Sequence, residues 1–303
     1  MSDVILTGGT GLIGARLAEL LRAEGRVLRW ITRDAKRVAL RGSERAFSWN
    51  GARVEPAWLD GAGAVVHLAG EAVFGGLPTA ARRERIWSSR VDATRGLVDA
   101  LAALSETRRP RVFVCASAVG YYGDSGEDEI REGDPPGPGF LSELCRDWEA
   151  EAARARELGV RVCSLRIGVV LSRSGGALGL MLPIFRAGLG GRIGNGQQWF
   201  PWIHHEDCAA LAQFALTSEH ASGAWNCTAP NPVRNADFSA ALAKHLHRPA
   251  LFAVPAFAVR GALRELSTEL LASRRVLPTA ATSAGFTFRH PTLDQALSDI
   301  VTK

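Results

Sequence analysis

Tyr121 and Tyr122 stand side by side in the stretch SAVGYYGDSG, and they are the chain's only two tyrosines. They follow RVFVCAS, an apolar run that reads as a buried strand and is closed by Ser117. One hydroxyl and two phenols in a single loop could orient a carbonyl oxygen and supply the proton that hydride transfer to it requires. A phenol titrates near pH 10 in water, so it is a sluggish base at neutral pH without a cation beside it. Lysine is scarce, at positions 36, 244 and 303 only, so a helical arginine such as Arg146 would have to help. Glu149 is the next candidate. It follows Trp148 on a helix expected over Phe140 to Leu158, and burial against that apolar neighbour would suit it to acid or base work. Glu143 falls nearly opposite on the same helix and reads as solvated.

The elements that must hold these groups alternate along the chain. DVILTG, RVLRWIT, AFSWN, AGAVVHLAG, RVFVCAS and VRVCSLRIG read as six strands. Helical patterns separate them over Gly11 to Glu24, Thr79 to Leu104 and Phe140 to Leu158. Continuous apolar strands divided by helices make an α/β chain with a parallel sheet covered on both faces. After Gly168 the rhythm breaks into a glycine-rich stretch, followed by a helix over Glu206 to Leu216, a strand at AWNCTA and a helical tail with a turn at Arg248–Pro249. The expectation is a Rossmann-type doubly wound core over 1–170, completed by about 205–230. Segments 171–204 and 231–303 would form a smaller C-terminal substrate lobe.

Between the first strand and the first helix lies TGGTGLIG. Gly8, Gly9, Gly11 and Gly14, with Thr10, Leu12 and Ile13 between them, allow a tight turn and let a pyrophosphate approach the helix N-terminus. The glycine spacing alone is weak evidence, but its place between strand and helix makes it a dinucleotide site. The second strand then ends in ITRDAKR. An acid there would bind the ribose 2′-hydroxyl of NAD, whereas Arg33 can fork onto the 2′-phosphate of NADP. NADP(H) is therefore the expected cofactor, with Asp34 leaving NAD as the alternative.

TGGTGLIG, AVVHLAGE, SAVGYYG, LRIGVVLSRSGGAL, GQQWFPWIHHEDCA and VLPTAATSAGFTFRHPTLDQAL occur in that order. Over nearly the whole chain they resemble the atypical extended short-chain dehydrogenases/reductases. The resemblance is to the branch called epimerase family protein, or putative nucleoside-diphosphate-sugar epimerase, with its own C-terminal domain of unknown function. It implies a Rossmann core, NADP(H) binding with Leu68, Ala69 and Gly70 beside the cofactor, and a C-terminal substrate lobe. It also implies that Ser117, or Ala118 one residue on, lies near the nicotinamide. Ordinary members pair a tyrosine with a lysine four residues later. Here Phe140 and Leu144 stand at those places, so that dyad cannot be carried over. Tyr121, Tyr122 and Glu149 remain as candidate proton carriers.

An NADP(H)-dependent oxidoreductase or epimerase-like enzyme acting on a small molecule is the leading reading; an NADPH-binding sensor or scaffold without turnover is the alternative. The composition excludes several other classes. Net charge is +5, with basic and acidic residues interspersed, which speaks against nucleic acid as a partner. Five dispersed cysteines, several in apolar runs, point to a reducing compartment rather than a disulfide framework. With neither a signal peptide nor a spanning segment in view, the expectation is a cytoplasmic protein without a membrane partner, as a monomer or homodimer. His204, His205, Glu206 and Asp207 have no standard zinc spacing, and no metal is expected. Asp207 reads instead as favouring the start of a helix. Trp199, Phe200 and Trp202 read as a pocket wall, with Arg186 and Arg192 as anion contacts.

Overall fold

The computed structural model describes residues 3–51, 53–73, 76, 79–250, 252–263 and 267–302. Its centre is a seven-stranded parallel sheet. In chain order the strands are β1 (Val4–Thr7), β2 (Leu28–Thr32), β3 (Arg45–Ser48), β4 (Ala64–His67), β5 (Val112–Ala118), β6 (Arg161–Ile167) and β7 (Gly223–Cys227). Across the sheet they run β7-β6-β5-β4-β1-β2-β3. The order reverses between β1 and β4, so the crevice at their C-terminal ends is where such sheets bind ligands.

The apolar runs form central strands because both faces are covered. One cluster packs Ile5, Val65 and Phe113 under α2 (Val91–Ala102) and α3 (Phe140–Ala153). The other packs Leu6, Val114 and Leu165 under α1 (Leu12–Ala23) and α4 (His205–Thr217). The single helix expected over Thr79 to Leu104 is two. A first piece, Ala80–Ser88, is capped by the Thr79 hydroxyl, and α2 starts at Val91. At the break Arg90 leaves ordinary helical geometry (φ −116°, ψ −63°), and the Ser89 hydroxyl accepts the Glu71 amide from the loop after β4.

Glycines 175–196, read as irregular, contain a helix over Gly176–Arg186 with Pro183 inside it and a short strand over Gly191–Ile193. A third apolar cluster, including Leu178, Trp202, Phe238 and Leu297, holds this region against the chain's last helices. Two-stranded ladders tie segments distant in sequence: 191–193 with 252–254, and 129–130 with 275–276.

Candidate functional site

The glycine loop is shaped by close packing. Gly8 has φ +67°, and a Cβ there would lie 2.6 Å from the Leu68 carbonyl and 2.7 Å from the Ala69 nitrogen. A Cβ on Gly14 would lie 2.3 Å from the Gly8 oxygen. These contacts press the end of β4, the loop and the first turn of α1 together. Gly11, the residue capping α1, makes no side-chain hydrogen bond to the first-turn amides, and an anion suits such a terminus. At the end of β2 the Asp34 carboxylate accepts the Lys36 amide at 3.0 Å and caps a short turn. Arg33 is exposed and has no ion pair among the described residues. The donors therefore fit a nucleotide carrying a 2′-phosphate.

Ser117 ends the C-terminal part of β5, beside β6. Its hydroxyl donates to Glu149 Oε1 at 2.6 Å, across from α3. Arg166, facing Ser117 on β6, forks onto both oxygens of Glu149 at 2.8 Å. The same guanidinium donates to the Tyr122 hydroxyl at 2.8 Å and to the Glu132 carbonyl at 3.0 Å. Its centre lies 3.5 Å from the Tyr121 ring centroid. Burial works against the charge of Arg166, but the hydrogen bonds and charge of Glu149 raise its pKa above the usual guanidinium value. The cation beside the tyrosines is thus Arg166, which motif reading missed because its neighbours in VRVCSLRIG are apolar. Arg146 is exposed and pairs with Asp147.

The two tyrosines differ. Tyr122 is buried, donates its proton to Asn226 Oδ1 at 2.6 Å and accepts from Arg166. Burial, only partly opposed by Arg166, pushes its phenol up to about 12. Tyr121 is half-buried, with its ring across Arg166 and edge-on to Tyr122. Phe140 is half-buried beneath the Arg83 guanidinium, and Leu144 is buried. Neither carries a group that can transfer a proton.

The segment after Gln198 differs from the expected pocket wall. Trp202 is 1% exposed and belongs to the third apolar cluster. Trp199 lies between the guanidinium groups of Arg234 and Arg275. His204, rather than Asp207, caps α4, accepting the Glu206 amide at 3.2 Å. Asp207 instead accepts the amides of Arg289 and His290 at 2.8 and 2.9 Å, anchoring the tail. His290 thereby joins His204 and Asp207 in a buried group whose potential ligand atoms lie within 4.8 Å of one another. Spacing within WIHHEDCA could not reveal it, because His290 comes from the chain's end.

The family model of the NAD dependent epimerase/dehydratase family matches residues 4–228. The chain belongs to this family. Residues 254–300 match a second model, the domain of unknown function DUF1731. Among epimerase family relatives, the chloroplastic SDR39U1 homolog of Arabidopsis thaliana is 39% identical over 98% of this chain and 86% of its own length. The Mycobacterium tuberculosis protein MT2273 is 37% identical over 99% of this chain and 98% of its own length. The crystal structure of human epimerase family protein SDR39U1 with NADPH superposes with a TM-score of 0.90 at 33% identity, covering 99% of each chain.

Proposed function

We propose that this epimerase family member binds NADP(H) on the Gly8–Gly14 loop. With it, the protein oxidises, reduces or epimerises a small molecule at the adjoining edge of the sheet. What carries the cofactor reading is the end of β2, where Asp34 is engaged in its own turn and Arg33 is exposed without an acidic partner among the described residues. NADPH in the human relative's crystal structure supports it. Leu68, Ala69 and Gly70 would flank the dinucleotide, with the lobe of residues 171–204 and 231–303 closing over the substrate.

When bound, the nicotinamide accepts or gives the hydride. This chain's residues manage the proton. Ser117 already gives its hydroxyl proton to Glu149, so its oxygen can take the proton of a substrate alcohol as its own passes to the carboxylate. Arg166 fixes Glu149 through a two-point, charge-assisted contact. Tyr122 completes the scaffold around Arg166, and Tyr121 is the phenol left to meet a substrate. No metal takes part in this scheme.

Titrating NADPH and NADH into the wild type and Arg33→Ala tests the cofactor assignment. Wild type should prefer NADPH, and the substitution should weaken NADPH by about 1.5–3 kcal/mol while leaving NADH nearly unchanged. Equal wild-type affinities would refute it. Phe140 and Leu144 favour a second reading, an NADPH-binding sensor without turnover. Single-turnover oxidation of bound NADPH against a carbonyl library, run alongside NADP+ reduction by the matching alcohols, separates the two.

A further inference from the structure

Six large apolar side chains are exposed on one part of the second lobe. Leu180 (68% exposed) and Ile184 (51%) lie one turn apart on the helix Gly176–Arg186, and Leu189 (59%) follows in the next turn. Phe252 (54%) and Val254 (45%) lie on the strand that pairs with Gly191–Ile193, and Phe257 (77%) opens the next helix. The pieces are joined: the Leu189 amide donates to Ile184, the Gly194 amide to Val254 and the Arg248 guanidinium to the Arg186 carbonyl. Monomeric proteins rarely expose so many large apolar groups together without using them.

The two sequence stretches that carry these side chains hold basic residues and no acid. No acid occurs between Glu157 and Glu206, or between Asp237 and Glu265. Arg173, Arg186, Arg192, Arg248 and Arg260 lie in those two stretches, are exposed, and make no ion pair among the described residues. Several arginines elsewhere on the surface pair with acids, as in Arg95 with Asp92 and Glu151, Arg108 with Asp60, and Arg154 with Asp99. A partner for this face must therefore accept apolar side chains and supply negative charge of its own. A second copy of the same face would set arginine against arginine.

We propose that this face docks on the surface of an anionic lipid bilayer, with Leu180, Ile184, Leu189, Phe252, Val254 and Phe257 entering the headgroup boundary and the arginines meeting lipid phosphates. A surface contact needs no spanning helix, and among the described residues no helix is long and apolar enough to cross a membrane. Sequence reading gave no membrane partner because the apolar residues are spread over 78 positions and become one face only on folding. Docking of this kind combines buried apolar area with electrostatic attraction, so losing either weakens it.

Flotation of the full chain with vesicles tests the proposal. Wild type should float with phosphatidylcholine–phosphatidylglycerol vesicles and remain behind with phosphatidylcholine alone, and added salt should release it. Arg248→Gln and Arg260→Gln should each lower partitioning about fivefold. The double variant Ile184→Glu/Phe257→Glu should abolish flotation while retaining the wild-type circular dichroism spectrum. Wild type that ignores anionic vesicles would overturn the proposal. So would light scattering that shows a dimer dissociated by the same double variant, since the face would then be a contact between copies.

Discussion

Arg166 holds the Glu149 carboxylate, the Tyr122 hydroxyl and the Glu132 carbonyl, and lies against the Tyr121 ring. A lysine in its place would keep one positive charge but lose the planar fork. Arg166→Lys should therefore lower the chemical step more than it weakens NADPH binding. Pre-steady-state hydride transfer measured beside a cofactor titration reads the two separately. Glu149→Gln and Ser117→Ala should each cost about 100- to 10,000-fold in that step, the usual worth of positioned acid–base catalysis. Tyr122→Phe takes one buried hydrogen-bond partner each from the Asn226 side-chain carbonyl and from Arg166, so its main effect should be a stability loss of about 1–3 kcal/mol in urea unfolding. If Tyr121→Phe costs as much as Glu149→Gln, the proton passes through the phenol; if it is silent, Ser117 and Glu149 suffice. Sequence reading singled out Ser117, Glu149 and both tyrosines. It could not bring Arg166 to them, because the pairing register that sets Arg166 beside Ser117 joins strands distant in sequence.

At the scale of elements, the strands and the first helix were legible because alternating apolar runs and a glycine turn are local signals. The glycine loop is local only in part: Gly14 packs on Gly8 and Gly9 within one turn, whereas Gly8 also meets Leu68 and Ala69, which are distant in sequence. The break at Ser89–Arg90 was hidden, since the loop amide of Glu71 that uses the Ser89 hydroxyl lies far from it in sequence. Asp207 was hidden for a similar reason. Its carboxylate, 2% exposed, serves two amides of a tail segment more than 80 residues away. Hydrogen bonds to a charged group are worth about 1.5–3 kcal/mol each, and here both are lost together. Asp207→Ala should cost about 3 kcal/mol or more and loosen the tail. Urea unfolding gives the energy, and hydrogen exchange at Arg289 and His290 shows where it is lost. Unchanged protection at those two amides would mean that the tail is held by its apolar contacts instead.

The stability of the whole molecule should depend on pH, and a core histidine carries a large share of that dependence. His67 ends β4 with no exposed surface, 2.6 Å from the Thr7 hydroxyl and ringed by Trp49, Phe113 and Trp148. Burial, with a smaller contribution from the Arg90 charge, pushes its imidazole down to about 3. The folded protein therefore keeps it neutral, while the unfolded chain takes up a proton near pH 6.5. Above that pH both states are neutral at this site and stability does not depend on it. Below it the unfolded state binds one more proton, so stability falls as pH falls, by up to about 1.4 kcal/mol per unit, until the folded imidazole itself titrates. Buried carboxylates such as Glu44, whose pKa Arg22 and Trp30 lower against the cost of burial, act with the same sign but begin nearer their own unfolded value of 4.5. The interval between about pH 6.5 and 5 separates the histidines from the carboxylates; His205, whose imidazole burial also lowers, acts there with the same sign, so the share of His67 is the part lost in its variant. Urea midpoints measured across that interval should decline in wild type and stay flatter in His67→Gln, even though the variant is less stable at pH 7. Parallel declines in the two proteins would place the proton uptake on another group and would mean that His67 is charged in the fold.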